Sequence, residues 1–435
     1  MWTRLVGRPI MLVDMYYELI MGFLLVMTIA LAVINASHRE KKIKHTVTHI
    51  YGTTDPDFQQ ALSYLLGPPL MPGNKITPLV NGDRIFPAML KAIMEAQRSI
   101  AFETYIYWSG EIGERLAQAL AQKAREGVRV HVLMDWMGSR HLNRSAMEHM
   151  VQSGVKVQRY RPLHWYSLSR LNFRTHRKLL IVDGRIGFIG GVGITDDWLG
   201  DAQDPKHWRD THYQVEGPVV AHMQTAYMDN WLKTSSHVLH GPAYFPELQP
   251  CGSSLAHVFK GAPREGNENI QLMFLMVFAA AKKSIVIQTP YFLPEPLCLR
   301  ALFDARKRGV DVQIMVPGEY LDIPVIRYAS RHGWGRVLKQ GVRIFEYQPT
   351  MLHSKLCVVD GIFVSVGSAN FDHRSFELND EANLNVYDTD FAADRLAAFE
   401  TDKEKCQEVT LKDWRKRPFR QRAKDGFFYL LRAQL

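Results

Sequence analysis

HRKLLIVDGRIGFIGGVGI (His176–Ile194) and HSKLCVVDGIFVSVGSANF (His353–Phe371) are two copies of one pattern. Each sets a His, a Lys and an Asp at the same intervals: His176, Lys178 and Asp183, then His353, Lys355 and Asp360. One match could be coincidence, but two in the same register mark a duplication. The apolar runs on either side of each Asp-Gly predict a buried strand, a sharp turn and a second buried strand. Residues two apart in a strand share a face, so the His and Lys of each copy can grip one ligand together. Asp183 and Asp360 open the turns, where a carboxylate serves either the turn backbone or a charged network around the ligand.

The duplication extends upstream. AQRSIAFETYIYW (96–108) is echoed by AKKSIVIQTPYFLP (281–294), and each is followed by a segment with apolar residues at helical spacing, a Gly and another strand-like run. This alternation predicts an α/β fold. Gly127 and Gly309 fall where those helices should end. The density of Gly and Pro between residues 237 and 267 predicts a linker between lobes spanning 75–236 and 268–435.

With 435 residues, 46% of them apolar and 22% charged, the chain has the composition of a globular protein large enough for two such lobes. Its net charge of +9 favours polyanionic partners, lipid headgroups or nucleic acid. Cys251, Cys298, Cys357 and Cys406 form no paired motif and read as reduced thiols. Leu19 to Ser37 carries no charge and is long enough to cross a bilayer. Residues 1–45 therefore read as an N-terminal membrane anchor with a single transmembrane helix. Arg39, Lys41, Lys42 and Lys44 outweigh Arg4 and Arg8, which puts the lobes on the cytoplasmic side of the inner membrane. A cleaved signal peptide is disfavoured by positive charge directly after the apolar run.

Two His and two Lys are the residues a phosphodiester demands. A neutral His attacks phosphorus through a covalent phosphohistidine, a second His passes a proton to the leaving oxygen, and lysines balance charge on the nonbridging oxygens. No metal or other cofactor is called for. The attacking His needs a partner on its other ring nitrogen. Asp210 follows His176, and Glu381 follows His353; they are candidate orienting carboxylates, with an exposed ion pair and an acidic loop tip as the bland alternatives. Ser368 and Asn370 are candidate donors to phosphate oxygens. Glu103, Thr104, Thr289 and Tyr291 stand at corresponding strand ends near the expected cleft. His164, His207, His212, His332 and His373 read as surface or structural.

These motifs resemble the phospholipase D superfamily over most of residues 75 to 435. FETYIYW, GGVGITDDW, WRDTHYQVEGPVV, TPYFLP and RSFELNDEANL are most similar to bacterial cardiolipin synthases. The resemblance implies two similar lobes, each a mixed β-sheet flanked by helices, with the active site at their pseudo-twofold interface and no cofactor. It implies His176 as nucleophile and His353 as acid and base. The implied reaction moves a phosphatidyl group from phosphatidylglycerol, or another membrane phospholipid, to phosphatidylglycerol. One departure stands out: the first copy has Gly193 where the family pattern, kept at Asn370, has Asn.

The alternatives are hydrolysis to phosphatidic acid, a nuclease, and a noncatalytic anionic-lipid binder. A nuclease should show a basic groove with stacking aromatics, whereas the charge here is dispersed, so no nucleic acid partner is expected. Oligomeric state is left open, although one chain holds both halves of the motif. Two stretches suit a membrane surface. Arg161 to Arg174 mixes aromatic and basic residues, and Phe419, Ala423, Phe427, Leu431 and Leu435 recur every four residues opposite Arg420, Arg422 and Lys424. The second is either an interfacial helix or a helix packed on the second lobe.

Overall fold

The computed structural model describes residues 43–163, 172–262, 268–430 and 432, together with 20, 22, 23, 26 and 27. The predicted anchor lies largely outside these residues, as do His164 and the middle of the 161–174 stretch. No described helix is long and apolar enough to cross a membrane. Lys44–Leu435 forms one compact unit, and the account below concerns that unit.

The first half contributes β1 (Met71–Val80), β2 (Ser99–Thr104), β3 (Arg129–Asp135), β4 (Lys156–Tyr160), β5 (Leu179–Val182), β6 (Ile186–Gly190) and β7 (Thr211–Glu216). The second contributes β8 (Ser254–Gly261), β9 (Ser284–Gln288), β10 (Phe292–Leu293), β11 (Asp311–Pro317), β12 (Arg343–Tyr347), β13 (Leu356–Val359), β14 (Phe363–Gly367), β15 (Phe371–Asp372), β16 (Glu381–Tyr387) and β17 (Cys406–Val409). Fifteen of them form one sheet in the order β17-β12-β11-β9-β13-β14-β16-β8-β1-β7-β6-β5-β2-β3-β4, and β10 pairs with β15 separately. Apart from β17 the order is a palindrome about the β8–β1 junction. In each half the outer strands run parallel (β2, β3, β4; β9, β11, β12) and the inner ones antiparallel. This is the mixed sheet expected. The parallel strands need helical crossovers. Helix Glu111–Arg125 supplies one, burying Ile112, Leu116 and Leu120 on one face, and Pro296–Lys307 supplies its counterpart. Both crossovers are followed by a left-handed glycine, Gly127 at φ +90° and Gly309 at φ +93°.

The segment read as a linker is not all linker. Residues 254–261 are β8, which pairs along its length with β16 and occupies the place β1 holds in the first half. Its flanking glycines and prolines obscured a strand whose Ala256, Val258 and Phe259 are buried. The halves also share side-chain packing. One core cluster joins Ile189, Val215, Met223 and Tyr227 to Val258, Leu356, Val366 and Phe399.

The Asp-Gly turns form as expected, with Asp183 at φ +54° and Asp360 at φ +55°, a left-handed conformation that Asp tolerates better than most residues. Their carboxylates work on the backbone. Asp183 accepts the N–H groups of Gln97, Arg98 and Ser99 at 2.7–2.9 Å. Asp360 accepts those of Lys282, Lys283 and Ser284 and the Thr53 hydroxyl. Each Asp thereby fixes the start of the innermost parallel strand of its lobe, β2 or β9. The strand between separates Asp183 from Lys178 by roughly 16 Å. Asp183 and Asp360, expected in the catalytic set, are structural because they sit at the opposite end of their strands from the His-Lys pairs. Asp183→Ala should lower unfolding free energy in denaturant by about 1–3 kcal/mol, with a much smaller loss of turnover per folded molecule than His176→Ala.

Candidate active site

The two halves meet along a pair of isolated parallel bridges, Thr175 with Asp380 and Arg209 with Leu352. The His176 N–H donates to the Asp380 carbonyl at 2.8 Å, and the His353 N–H to the Arg209 carbonyl at 2.7 Å. The next residue along each partner segment is a carboxylate. His176 Nδ1 therefore lies 3.0 and 3.1 Å from the two oxygens of Glu381, and His353 Nδ1 lies 2.8 Å from Asp210. Both carboxylates singled out in the sequence contact a histidine, but the pairs are crossed: each His takes its partner from the other half. An ionised carboxylate only accepts, so each Nδ1 carries a proton and each Nε2 keeps its lone pair.

Neither bland alternative for these segments holds. Arg209 is buried and paired with Asp402 at 2.9 Å, while Asp380 and Glu381 are 1% and 0% exposed. Arg177, between His176 and Lys178, is wholly buried and donates to the carbonyls of Ala226 and Glu381 and to Asp229.

His176 and Lys178 precede β5 rather than lying within it, and Lys178 Nζ turns back to the His176 carbonyl at 2.8 Å. Lys355 Nζ lies 3.0 and 3.1 Å from the ring nitrogens of His353. His176, Lys178, His353 and Asn370 line a cavity of about 280 Å³ together with Tyr105, Trp198 and Trp208. The Ser368 hydroxyl is not aimed at a ligand. It donates to Glu381, as does Ser375, so Ser368 positions the carboxylate that positions His176.

Burial dominates the electrostatics. It pushes the His176 imidazole down to about 4, against the pull of Glu381, and with Lys355 adding to it lowers His353 to about 3. Burial also lowers Lys178 to about 7 against Glu381, and Lys355 to about 8 against Asp210. Burial alone would raise both carboxylates. His353, Lys355 and Trp198 nevertheless hold Asp210 at about 2, and His176, Lys178 and Ser368 keep Glu381 below its usual range. At neutral pH the free enzyme thus holds two neutral imidazoles, two ionised carboxylates and two lysines close to losing their protons.

Several neighbours escaped sequence reading. Trp198 Nε1 donates to Asp210 at 3.0 Å, and its ring packs edge-on against His353, which Trp208 also flanks. Tyr105 packs edge-on against His176. The signal that could have found Trp198 is the missing Asn: a Cβ at Gly193 would lie 3.1 Å from the Trp198 ring and 3.0 Å from Ile106. The indole fills the space where an Asn side chain would go. Glu103 is buried beneath the site, accepting from Thr175 and Asn230, and burial raises it to about 7. Thr104 and Thr289 each bond to a nearby carbonyl. His207 pairs with Asp204, His332 stacks on Tyr429, and His212 is buried against Gly190. His373 meets Glu295, and with Glu377 they form a cluster of ligand-type atoms within 4.8 Å of one another, none of which lines the cavity.

A duplicated α/β fold that brings His176, Lys178 and His353 to one cavity, with Lys355 against His353, defines a phospholipase D-like phosphodiester site. Residues 89–204 and 275–403 match the family described as "Cardiolipin synthase, PLD-like domain". The chain is 35% identical over 348 residues to cardiolipin synthase A of Pseudomonas fluorescens, covering 80% of this chain and 72% of that protein. It is also 35% identical over 361 residues to the major cardiolipin synthase ClsA of Bacillus subtilis, covering 82% and 75%. Among solved structures, phosphatidylserine synthase of Haemophilus influenzae superposes with a TM-score of 0.68 at 14% identity, over 87% of this chain and 100% of that one, a likeness of fold. The chain belongs to the cardiolipin synthase branch of the phospholipase D-like family.

The low lysine values predict a basic limb. For the free enzyme, kcat/KM should fall as pH rises through about 7 to 8, where Lys178 and then Lys355 lose their charge. Lys178→Arg, whose guanidinium stays protonated, should shift that limb to higher pH. A limb that stays put in both Lys178→Arg and Lys355→Arg would assign it to another group.

Proposed function

We propose that the protein is a phosphatidyltransferase of the cardiolipin synthase type, acting on membrane phospholipids. The observation that carries this reading is the pair of crossed His-carboxylate contacts, with both lysines, around one cavity. His176 Nε2 attacks the phosphorus of phosphatidylglycerol; a P–N bond forms, the P–O bond to glycerol breaks, and His353, which takes up a proton at Nε2 as the substrate binds, gives it to the leaving oxygen. The hydroxyl of a second phosphatidylglycerol then forms a new P–O bond, the P–N bond breaks, and its proton returns to His353. The net change is two phosphatidylglycerols to cardiolipin and glycerol. Lys178 and Lys355 balance the nonbridging oxygens. A bound phosphodiester anion also offsets the lysine charge that opposes protonation of His353, so substrate raises its affinity for the proton it must deliver.

Mass spectrometry of lipids from phosphatidylglycerol vesicles tests this. Cardiolipin with free glycerol is expected from the wild type and from neither His176→Ala nor His353→Ala. Phosphatidic acid alone would make the protein a hydrolase, and turnover surviving in both variants would remove the catalytic assignment.

The same reading assigns residues 1–45 to a membrane anchor, 75–236 and 268–435 to the two phospholipase D-like lobes, with a true linker shorter than 237–267, and the lobes to the cytoplasmic side of the inner membrane. Helix Phe419–Leu430 supports contact with the bilayer. One face packs on helix Pro324–Lys339, where Asp425 meets Arg331 and Phe428 stacks on Tyr328. The other exposes Phe419, Phe427 and Leu430 at 81%, 61% and 74% beside Arg420, Arg422 and Lys424. The packed face is that of a helix docked on the second lobe, and the exposed apolar face supports the interfacial reading; Leu431 and Leu435 lie outside the described residues. Phe419→Ser with Phe427→Ser should weaken flotation of the protein with anionic vesicles by several-fold relative to the wild type. Unchanged flotation would leave this helix without a membrane role.

A further inference from the structure

The far end of the first lobe carries a cleft that the reaction does not use. Helix Val220–Ser235 lies against β3, its Tyr227 and Trp231 meeting His131. Past the end of this helix a cleft of about 500 Å³ opens, whose lining includes Arg129, His131, Lys156, His237, His240 and Tyr244 and no acidic residue. Arg129 and His131 are two apart in β3 and share a face, and Lys156 pairs with His131 across the parallel ladder on that same face. Arg129 and Lys156 are exposed, and neither has an ion-pair partner among the described residues. At the opposite end of β3, Asp135 accepts the Thr175 N–H beside His176, so the length of the strand, about 20 Å, separates the cleft from the catalytic residues.

The duplication supplies an internal control. Ser99 pairs with Arg129 as Ser284 pairs with Asp311, and His131 pairs with Lys156 as Gln313 pairs with Arg343. The second half therefore carries Asp, Gln and Arg where the first carries Arg, His and Lys. There the charges cancel: Asp311 accepts from Gln313 Nε2 at 2.7 Å, and Arg343 donates twice to Glu408 of β17, a strand without a counterpart in the first half. The fold does not require positive charge at this place, yet the first half concentrates it without a counter-charge. A cleft lined by one sign of charge gathers ions of the other.

His131 narrows the kind of anion. It is 3% exposed, and its Nδ1 lies 3.2 Å from the Arg129 carbonyl, so Nδ1 carries the proton. Its Nε2 has no partner among the described residues and keeps a lone pair. Burial, reinforced by Lys156 and Arg129 and opposed by the bond to the carbonyl, lowers the imidazole to about 4. An anion that brings a proton of its own satisfies both the cations and this lone pair. A phosphomonoester does so, since its second proton leaves at about pH 6. A phosphodiester carries a single charge and no proton to give.

We propose that Arg129, Lys156 and His131 form a phosphomonoester-binding site, separate from the catalytic cavity, with His237 and His240 at its rim. A soluble phosphate ester and a lipid such as phosphatidic acid present the same group. The site goes beyond the transferase reading and does not depend on it.

Equilibrium dialysis of the detergent-purified full chain against labelled inorganic phosphate counts the sites. Arg129→Asp, which writes the second-half residue into the first half, and Lys156→Glu are both at exposed positions. Each should bind one phosphate per chain fewer than the wild type, or bind it about tenfold or more weakly. The catalytic cavity is the same in all three proteins, so whatever it binds cancels. Equal number and affinity in the wild type and both variants overturns the site. Sulfate matches the charge but brings no proton, so it should compete poorly; sulfate competing as well as phosphate would overturn the choice of phosphomonoester. Flotation with phosphatidylcholine vesicles containing phosphatidic acid, against vesicles of equal charge containing phosphatidylglycerol, separates the two sources. A loss in Arg129→Asp confined to phosphatidic acid assigns the site to a lipid headgroup. Flotation unchanged on both, with phosphate binding lost, assigns it to a soluble phosphate ester, and a loss of equal size on both overturns the lipid source.

Discussion

Backbone pairing between the halves is the constraint on which the rest of this site depends. Thr175 with Asp380 and Arg209 with Leu352 are only two bridges, yet each sets a histidine one residue from the bridge against a carboxylate one residue from it on the other side. The carboxylates need no long side chains or flexible loops to find their targets. They are delivered by chain direction and register, and anchored from behind by Arg177 on Asp229 and Arg209 on Asp402. A site built this way exists only while the halves are docked, which accounts for a core that runs continuously from Met223 to Phe399.

Burial has two consequences that pull in opposite directions. It strips water from the imidazoles and lysines, so both are biased toward neutrality before substrate arrives. It also makes each interaction with a phosphate anion stronger than it would be in water. The resting site is therefore electrostatically incomplete, and the substrate's own charge completes it. Glu381 and Asp210 keep that arrangement from collapsing, since each stays ionised through direct contact with an imidazole and the nearby lysine.

Much of this was legible in the sequence because it repeats. The twin His-Lys segments, the α/β alternation and the two orienting carboxylates each carry a local signature. What could not be read was long-range pairing. Asp210 and Glu381 were identifiable as carboxylates at strand mouths, but sequence order suggests same-half partners and only the docked sheets reveal the exchange. β8 was hidden for a different reason, as its strand pattern is bracketed by the Gly and Pro that mark loops. Asp183 and Asp360 were ambiguous because a turn carboxylate and a catalytic one have the same spacing, and only the direction of β5 and β13 separates them. Ser368 was read as a donor to phosphate, but its hydroxyl and that of Ser375 each take one oxygen of Glu381, and nothing in the motif says so.

The exchange of Asn for Gly at position 193 has a consequence for how this chain can change. Gly193 and Trp198 occupy one volume, with a Cβ at the glycine already closer to the indole than ordinary contact allows. Introducing Asn while the tryptophan remains forces a clash beside His353. Shrinking the tryptophan first opens a void and strips Asp210 of a donor. Either single step is a loss that the other change would offset, so the pair behaves as one heritable character, and a residue-by-residue survey would score each position as immutable although the two can change together.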